Sequence, residues 1–245
     1  MDQSEEYLQQ AHEAYESKDY KTAISESTKA LQAGCKDSAA LQIRALSYYY
    51  SAEYAPALQD FNTFLHALPG ENVMLLHRGI LHSLMGDFEK AIVDLNAFIK
   101  ANPDDSGGYQ KRGYTLLAMK KYKEAIPDLT KAIELKTEIP QTYFQRGAAY
   151  FNTRHYQAAI ADFTIAGELM PEDPEVFYLM GLACYFRKDC AKCIHYLSKV
   201  IFLGDRFPDA RFYRLLAYRD SGKSKEAQED GDMLVKTNTA PFKFS

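Results

Sequence analysis

Long apolar runs, a surplus of positive charge and a cysteine framework are all missing from this 245-residue chain. Each absence removes a class of function. No apolar stretch approaches the length needed to cross a bilayer, so the sequence offers no membrane span. Lysine and arginine number 29 against 33 aspartates and glutamates, a net charge of -4, and both signs are mixed along the chain. That is no footprint for nucleic acid. The four cysteines, Cys35, Cys184, Cys190 and Cys193, are unevenly placed, unlike a disulfide scaffold. Residues Met1 to Tyr7 are acidic and polar and carry no secretory or transit signal. A reducing, cytoplasmic setting is the expectation. Catalytic signatures are missing too: there is no phosphate-binding glycine loop, no HExxH and no nucleophile elbow. The expectation is therefore no enzyme, no cofactor and no metal.

What the chain does have is a period. Small residues recur at Ala11, Ala45, Gly79, Gly113, Gly147 and Gly181, and again at Ala23, Ala57, Ala91, Ala125, Ala159, Cys193 and Ala227. Every step in both series is 34 residues, without insertion or deletion. A unit of that length is too short to bury its own apolar face, so it must stack on its neighbours as a solenoid. With 47% hydrophobic residues there is material for a continuous core. Such an array offers an extended binding surface and no enclosed reaction chamber.

The fifth unit shows the pattern best. Apolar and small residues follow helical spacing from Tyr143 to Tyr150, break at Asn152 to His155, and resume from Tyr156 through Ala159, Ile160, Phe163, Ala166 and Leu169. Pro140, Pro174 and Pro208 share the register where a helix should start, which suits proline because the first turn lacks partners for its N–H groups. Each unit therefore reads as helix, short turn, helix, with Gly147 and Ala159 as the expected point of close approach. Tyr20, Tyr54, Phe88, Tyr122 and Tyr156 open the second helix and are expected in the core.

Two charged series run in step with the small ones. Arg44, Arg78, Arg112, Arg146 and Arg214 share one position on the first helix; Asp60, Asp94, Asp128, Asp162 and Asp230 share one on the second. They vanish together in the sixth unit, which has Met180 and Tyr196, and change together in the first, which has Gln10 and Glu26. Pairing inside each unit accounts for all five. The expected role is structural, since a partly buried arginine needs a carboxylate.

The positions Tyr143, Gly147, Tyr150, Ala159, Phe163, Ala166 and Pro171 resemble the tetratricopeptide repeat signature. The resemblance covers essentially the whole chain. It implies an all-α, right-handed α-solenoid of seven helix-turn-helix units, starting near residues 4, 38, 72, 106, 140, 174 and 208. Residues 1–3 and 242–245 are left as tails around a single domain, 4–241. The last unit departs most, with Leu215 for glycine, Ser224 and Gly231 at bulky positions, and a polar second helix that reads as a cap facing water.

The resemblance also implies that the first helices line a concave groove. The residues it places there are Gln42, Leu46, Tyr49, His77, Ile80, Gln110, Lys111, Tyr114, Phe144, Gln145, Phe151, Tyr178, Tyr185, Phe212 and Arg219. His77 is placed to tune binding near neutral pH. The Lys/Asn pair by which chaperone adaptors of this family hold an acidic C-terminus has no counterpart here: the matching positions are Leu8/His12, Gln42/Leu46, Leu76/Ile80, Gln110/Tyr114 and Phe144/Ala148. Chaperone tails are therefore not the expected ligand. The expected function is a protein-interaction adaptor holding a peptide or helix of a partner. The alternatives are a co-chaperone-like holder of apolar client segments, for which Ala125 to Lys136 resembles repeats of lumenal J-domain co-chaperones, and a self-assembling scaffold. The oligomeric state is open. Cys184, Cys190, Cys193 and His195 have a spacing that zinc or a redox pair could use, but the cysteines occupy the repeat positions of Tyr150, Tyr156 and Ala159 and are expected to be core residues.

Overall fold

The computed structural model describes residues 2–135, 139–204 and 207–237. Among these the chain is helical throughout, without a strand. The elements are α1 (Gln3–Glu16), α2 (Tyr20–Gln32), α3 (Ser38–Tyr50), α4 (Tyr54–Ala67), α5 (Asn72–Leu84), α6 (Phe88–Ala101), α7 (Ser106–Ala118), α8 (Tyr122–Glu134), α9 (Pro140–Asn152), α10 (Tyr156–Leu169), α11 (Pro174–Phe186), α12 (Cys190–Leu203), α13 (Asp209–Asp220) and α14 (Ser224–Thr237). They form seven helix-turn-helix repeats of the all-α solenoid class. Gln3, expected in the N-terminal tail, already belongs to α1. The expected C-terminal tail, 242–245, lies outside the described residues.

Local chemistry sets the boundaries. Pro140 and Pro174 stand at the start of α9 and α11, while Pro208 sits one residue earlier, at the N-cap of α13. Asp37 and Asp173 accept the backbone N–H groups of Ala39 and Glu175. Asp19 and Asp189 cap α2 and α12 in the same way, accepting from Thr22 and Lys192. The turn within each repeat places one residue in the left-handed region, always in the same register: Lys18, Ala52, Gly86, Lys120, Arg154, Lys188 and Gly222. The following N–H reaches back to the preceding helix, Asp19 to the Ala14 carbonyl and His155 to that of Tyr150, each at 2.8 Å. Five of the seven turns use a non-glycine residue there and bear a backbone cost of about 1–2 kcal/mol each.

The chain divides into two compact units, one up to Thr115 and one from Leu116 onward. In the first, Ala45, Ala57, Phe61, Phe64, Met74 and Leu81 share one core. In the second, Ala159, Phe163, Val176, Met180, Cys184, Cys193, Leu197 and Val200 do so. A Cβ added to Gly79 would lie 3.0 Å from Leu95 Cγ, one on Gly147 2.7 Å from Phe163 Cε1, and one on Gly181 2.6 Å from Leu197 Cδ2. The glycine thus receives the bulky residue of the second helix. At Gly147 it is the ring of Phe163 that needs the space, and Ala159, the other small residue of the expected close approach, is fully buried. A correction concerns the aromatic series. Tyr20, Tyr54, Phe88, Tyr122 and Tyr156 are half-buried, because the first residue of the second helix stands beside the turn and not in mid-repeat.

Arginine and aspartate meet within the repeat. Arg44 grips Asp60 through Nε and Nη2 at 2.7 and 2.8 Å, and Arg78–Asp94 and Arg146–Asp162 do the same at 2.8 Å for every bond. Arg214 grips Asp230 at 2.8 and 2.5 Å. The carboxylates are buried; hydrogen bonding to them holds the Arg44 and Arg146 guanidinium groups more firmly protonated than usual. The remaining Nη1 reaches the second helix of the preceding repeat. Arg44 donates to Thr28, Arg78 to Asn62, Arg112 to Asn96, Arg146 to Thr130 and Arg214 to Ser198. One side chain therefore fixes both the fold of its repeat and the docking of that repeat on the preceding one. In the sixth repeat, where Met180 replaces arginine, the matching hydroxyl of Thr164 turns back to its own helix, donating to the Ile160 carbonyl.

Candidate functional site

Three successive first helices of the unit up to Thr115 converge on a cavity of about 260 Å³. Helix α3 supplies Tyr49, α5 supplies Ile80, Ser83 and Leu84, and α7 supplies Lys111, Tyr114 and Thr115. The 34-residue period is what aligns them, since each helix presents the same face. Tyr49 packs edge-on against Tyr50 and His77, with centroids 5.1 and 5.8 Å apart, and burial pushes its phenol above the usual tyrosine pKa. Thr115 is fully buried and donates to the Ser83 hydroxyl at 3.1 Å, which pins α7 to α5. Leu84 is 50% exposed and Tyr114 47% exposed, so the mouth is apolar and open to solvent. Lys111 lines it and makes no ion pair with a described residue. The site therefore combines an aromatic and aliphatic surface with one cation that has no ion-pair partner among the described residues.

The cavity brings together four of the residues assigned to the groove: Tyr49, Ile80, Lys111 and Tyr114. Gln42 is half-buried on α3. Leu46, Gln110 and Gln145 are buried, a correction to their placement on a ligand-facing surface. They lie on the flank of the first helix that packs on the array, which helical spacing alone does not separate from the open flank.

His77 also needs correction. Its ring stacks on Phe61, 6.4 Å between centroids, and its Nδ1 is buried without a hydrogen-bond partner. Burial lowers its pKa below the ordinary histidine value, which favours the neutral ring.

In the unit from Leu116 onward the assigned aromatic residues pack against neighbouring rings. Tyr178 stacks on Phe207 at 4.4 Å, Phe151 meets Phe186 at 6.0 Å, Tyr185 meets Tyr213 at 5.3 Å, and Phe212 meets Tyr213 at 5.6 Å. Phe144 packs on Phe163, which lies in the core. Arg219 is exposed.

No group of three or more His, Cys, Asp or Glu able to hold a metal occurs among the described residues. Burial pushes the Cys184 thiol up to about 11 and the Cys193 thiol up to about 12, the opposite of an activated thiolate. Cys190, expected in the core, is half-buried at the start of α12. No helix of the described residues is long and apolar enough to cross a membrane.

The tetratricopeptide repeat model matches residues 74–105 and 107–138. No curated protein matches the sequence significantly. Solved structures match well. The C-terminal part of a TPR repeat-containing protein from Cytophaga hutchinsonii superposes with a TM-score of 0.78 at 20% identity, over 96% of both chains. A tetratricopeptide repeat protein from Parabacteroides merdae gives 0.69 at 16% identity, over 98% of this chain and 94% of the other. The MamA protein gives 0.64 at 25% identity, over 71% of this chain and 97% of its own. Residues 74–105 and 107–138 thus match the tetratricopeptide repeat family, and the 34-residue register and all-helical repeats show the same fold along the rest of the described chain.

Proposed function

We propose that this protein is a non-enzymatic adaptor that holds a peptide or helix of a partner protein along the face of its first helices. The family consists in general of protein-interaction scaffolds. The observation that carries the reading is the α3–α5–α7 cavity, where exposed apolar side chains surround an ammonium that has no ion-pair partner among the described residues. A segment bearing an apolar side chain next to a carboxylate would bury the first against Ile80 and Leu84 and set the second on Lys111. The two tyrosines add rigid contact area at low entropic cost.

Affinity capture from a native lysate tests this, comparing the natural chain with a Leu84→Ala/Tyr114→Ala variant. Both residues are half-exposed, so the variant should retain its fold. Loss of a discrete protein with the variant supports the adaptor; equal recovery of every captured protein by both forms rejects the cavity as the site. Recovery of many unrelated unfolded chains would indicate a client holder instead, and concentration-dependent light scattering a self-assembling scaffold.

A further inference from the structure

A second feature lies beside the turns within the repeats. In the first repeats, Tyr50 at the end of α3 lays its ring on Tyr20, the first residue of α2, with centroids 5.3 Å apart and planes 19° off parallel. In the fifth and sixth, Phe186 at the end of α11 lies on Tyr156, the first residue of α10, at 5.3 Å and 17°. The register is identical in these two pairs, where an aromatic ring from the next repeat roofs the ring that opens the second helix; the same position holds Leu84 after Tyr54 and Ala118 after Phe88. Tyr122 opens α8 in the same way, but the residue in the roofing position is Asn152, and its amide folds back to donate to the Ala148 carbonyl at 2.8 Å. No aromatic ring among the described residues contacts Tyr122. Beside Tyr122 lies a cleft of about 540 Å³, lined by Lys120, Lys121, Tyr122, Lys123, Glu124, Asn152, Thr153 and Arg154; the roofed Tyr20–Tyr50 pair borders one of about 500 Å³ lined by Tyr15, Glu16 and Lys18, so what sets the Tyr122 cleft apart is its uncovered ring and its cations.

The charge around this slot is one-sided. Four cations face a single carboxylate, Glu124, and none of the five makes an ion pair with a described residue. The cap register is also reversed. Asp19 and Asp189 give carboxylates to the first N–H groups of α2 and α12, whereas α8 has Lys121 at that position. The N-terminal N–H groups of α8 thus lack the capping carboxylate that α2 and α12 have, and Glu124 is the one acidic residue of its first turn.

We infer that this cleft is a docking site for an acidic segment of a partner protein that inserts an aromatic side chain onto Tyr122, with its flanking carboxylates on Lys121, Lys123 and Arg154. The occupant's chemistry follows from the lining: four cations against one carboxylate call for an acidic segment, and the stacks of Tyr50 on Tyr20 and Phe186 on Tyr156 show that an aromatic ring fits over the residue that opens the second helix. The site is separate from the α3–α5–α7 cavity and does not depend on it.

The test is fluorescence anisotropy with a short labelled peptide in which one phenylalanine is flanked by glutamates. The natural chain should bind it, and binding should weaken as salt rises. Replacing the peptide's phenylalanine by leucine, or Tyr122 by leucine, should weaken binding by about fivefold or more. Lys121→Glu/Lys123→Glu should weaken it further. The decisive variant is Asn152→Phe, which supplies the roof from within: it should abolish peptide binding while keeping the melting temperature of the natural chain or raising it. Tyr114→Ala should leave this binding unchanged, which separates failure here from failure of the adaptor reading. No measurable binding, binding that survives Asn152→Phe, equal binding of the leucine peptide, or tighter binding of a single-stranded oligonucleotide at the same residues would each overturn the inference.

Discussion

Leu215 on α13 reaches across to Gly231 on α14: a Cβ added to Gly231 would stand 3.5 Å from Leu215 Cδ1. In the third, fifth and sixth repeats the arrangement is the reverse, with glycine on the first helix and Leu95, Phe163 or Leu197 on the second. The seventh repeat keeps the volume and exchanges the donors. Two departures that look like independent erosion of the signature are one compensated change.

The exchange gives opposite outcomes for the same substitution. Gly147→Ala would put a methyl group 2.7 Å from the fully buried Phe163 ring and should destabilise by about 1–3 kcal/mol. Gly231→Ala meets only ordinary contact and should be neutral or stabilising by up to about 1 kcal/mol, since alanine is the better helix former. Thermal or urea melts of the two variants check this.

The sixth repeat tests the ion-pair series. Met180 is buried where five other repeats carry arginine, and Tyr196 stands in for aspartate, stacked near Phe177 at 6.4 Å. Met180→Arg alone would bury a guanidinium without its carboxylate and should cost about 3 kcal/mol or more. Adding Tyr196→Asp should recover a large part of that loss. Strict additivity in the double-mutant cycle would show that the pair does not form. Conversely, Asp162→Ala should destabilise by about 3–5 kcal/mol, because Arg146 loses both of its charge-assisted bonds.

Thiol reactivity should follow burial. Cys184 and Cys193 are buried, with thiols pushed up to about 11 and about 12, so almost no thiolate exists at neutral pH. Cys35 and Cys190 are half-buried. Native alkylation with iodoacetamide, read by mass spectrometry, should modify Cys35 and Cys190 and spare the other pair until denaturant is added. Rapid native labelling of Cys193 would contradict the packing described.

Acid should weaken the unit up to Thr115 through its histidines. Burial depresses the pKa of His77 below the ordinary 6.5, and His82, also buried, is depressed chiefly by the same cause. The unfolded chain takes up these protons first, so it binds more of them as pH falls. Stability is therefore complete above about pH 6.5 and declines as pH drops toward the depressed folded values. His77→Phe should flatten that decline in a series of melts between about pH 7 and about pH 5; an unchanged slope would place the ring in water.

The 34-residue register, the helix-turn-helix unit and the Arg–Asp series can be read from the chain alone, because repetition converts local patterns into many agreeing observations. Arginine and aspartate that appear and disappear together declare their pairing without coordinates. The Nη1 bonds to Thr28, Asn62, Asn96, Thr130 and Ser198 left a signal too, a polar series at the same period, but its meaning depends on which helix lies behind the arginine. Tertiary structure alone decided which first-helix residues are open. Helical spacing places Leu46 and Tyr49, or Gln110 and Tyr114, on neighbouring flanks, yet the first of each pair is buried and the second lines the cavity. A helix packed on several neighbours at once has its exposed stripe set by where those neighbours stand. That information lies in the spacing between helices and not within any one of them.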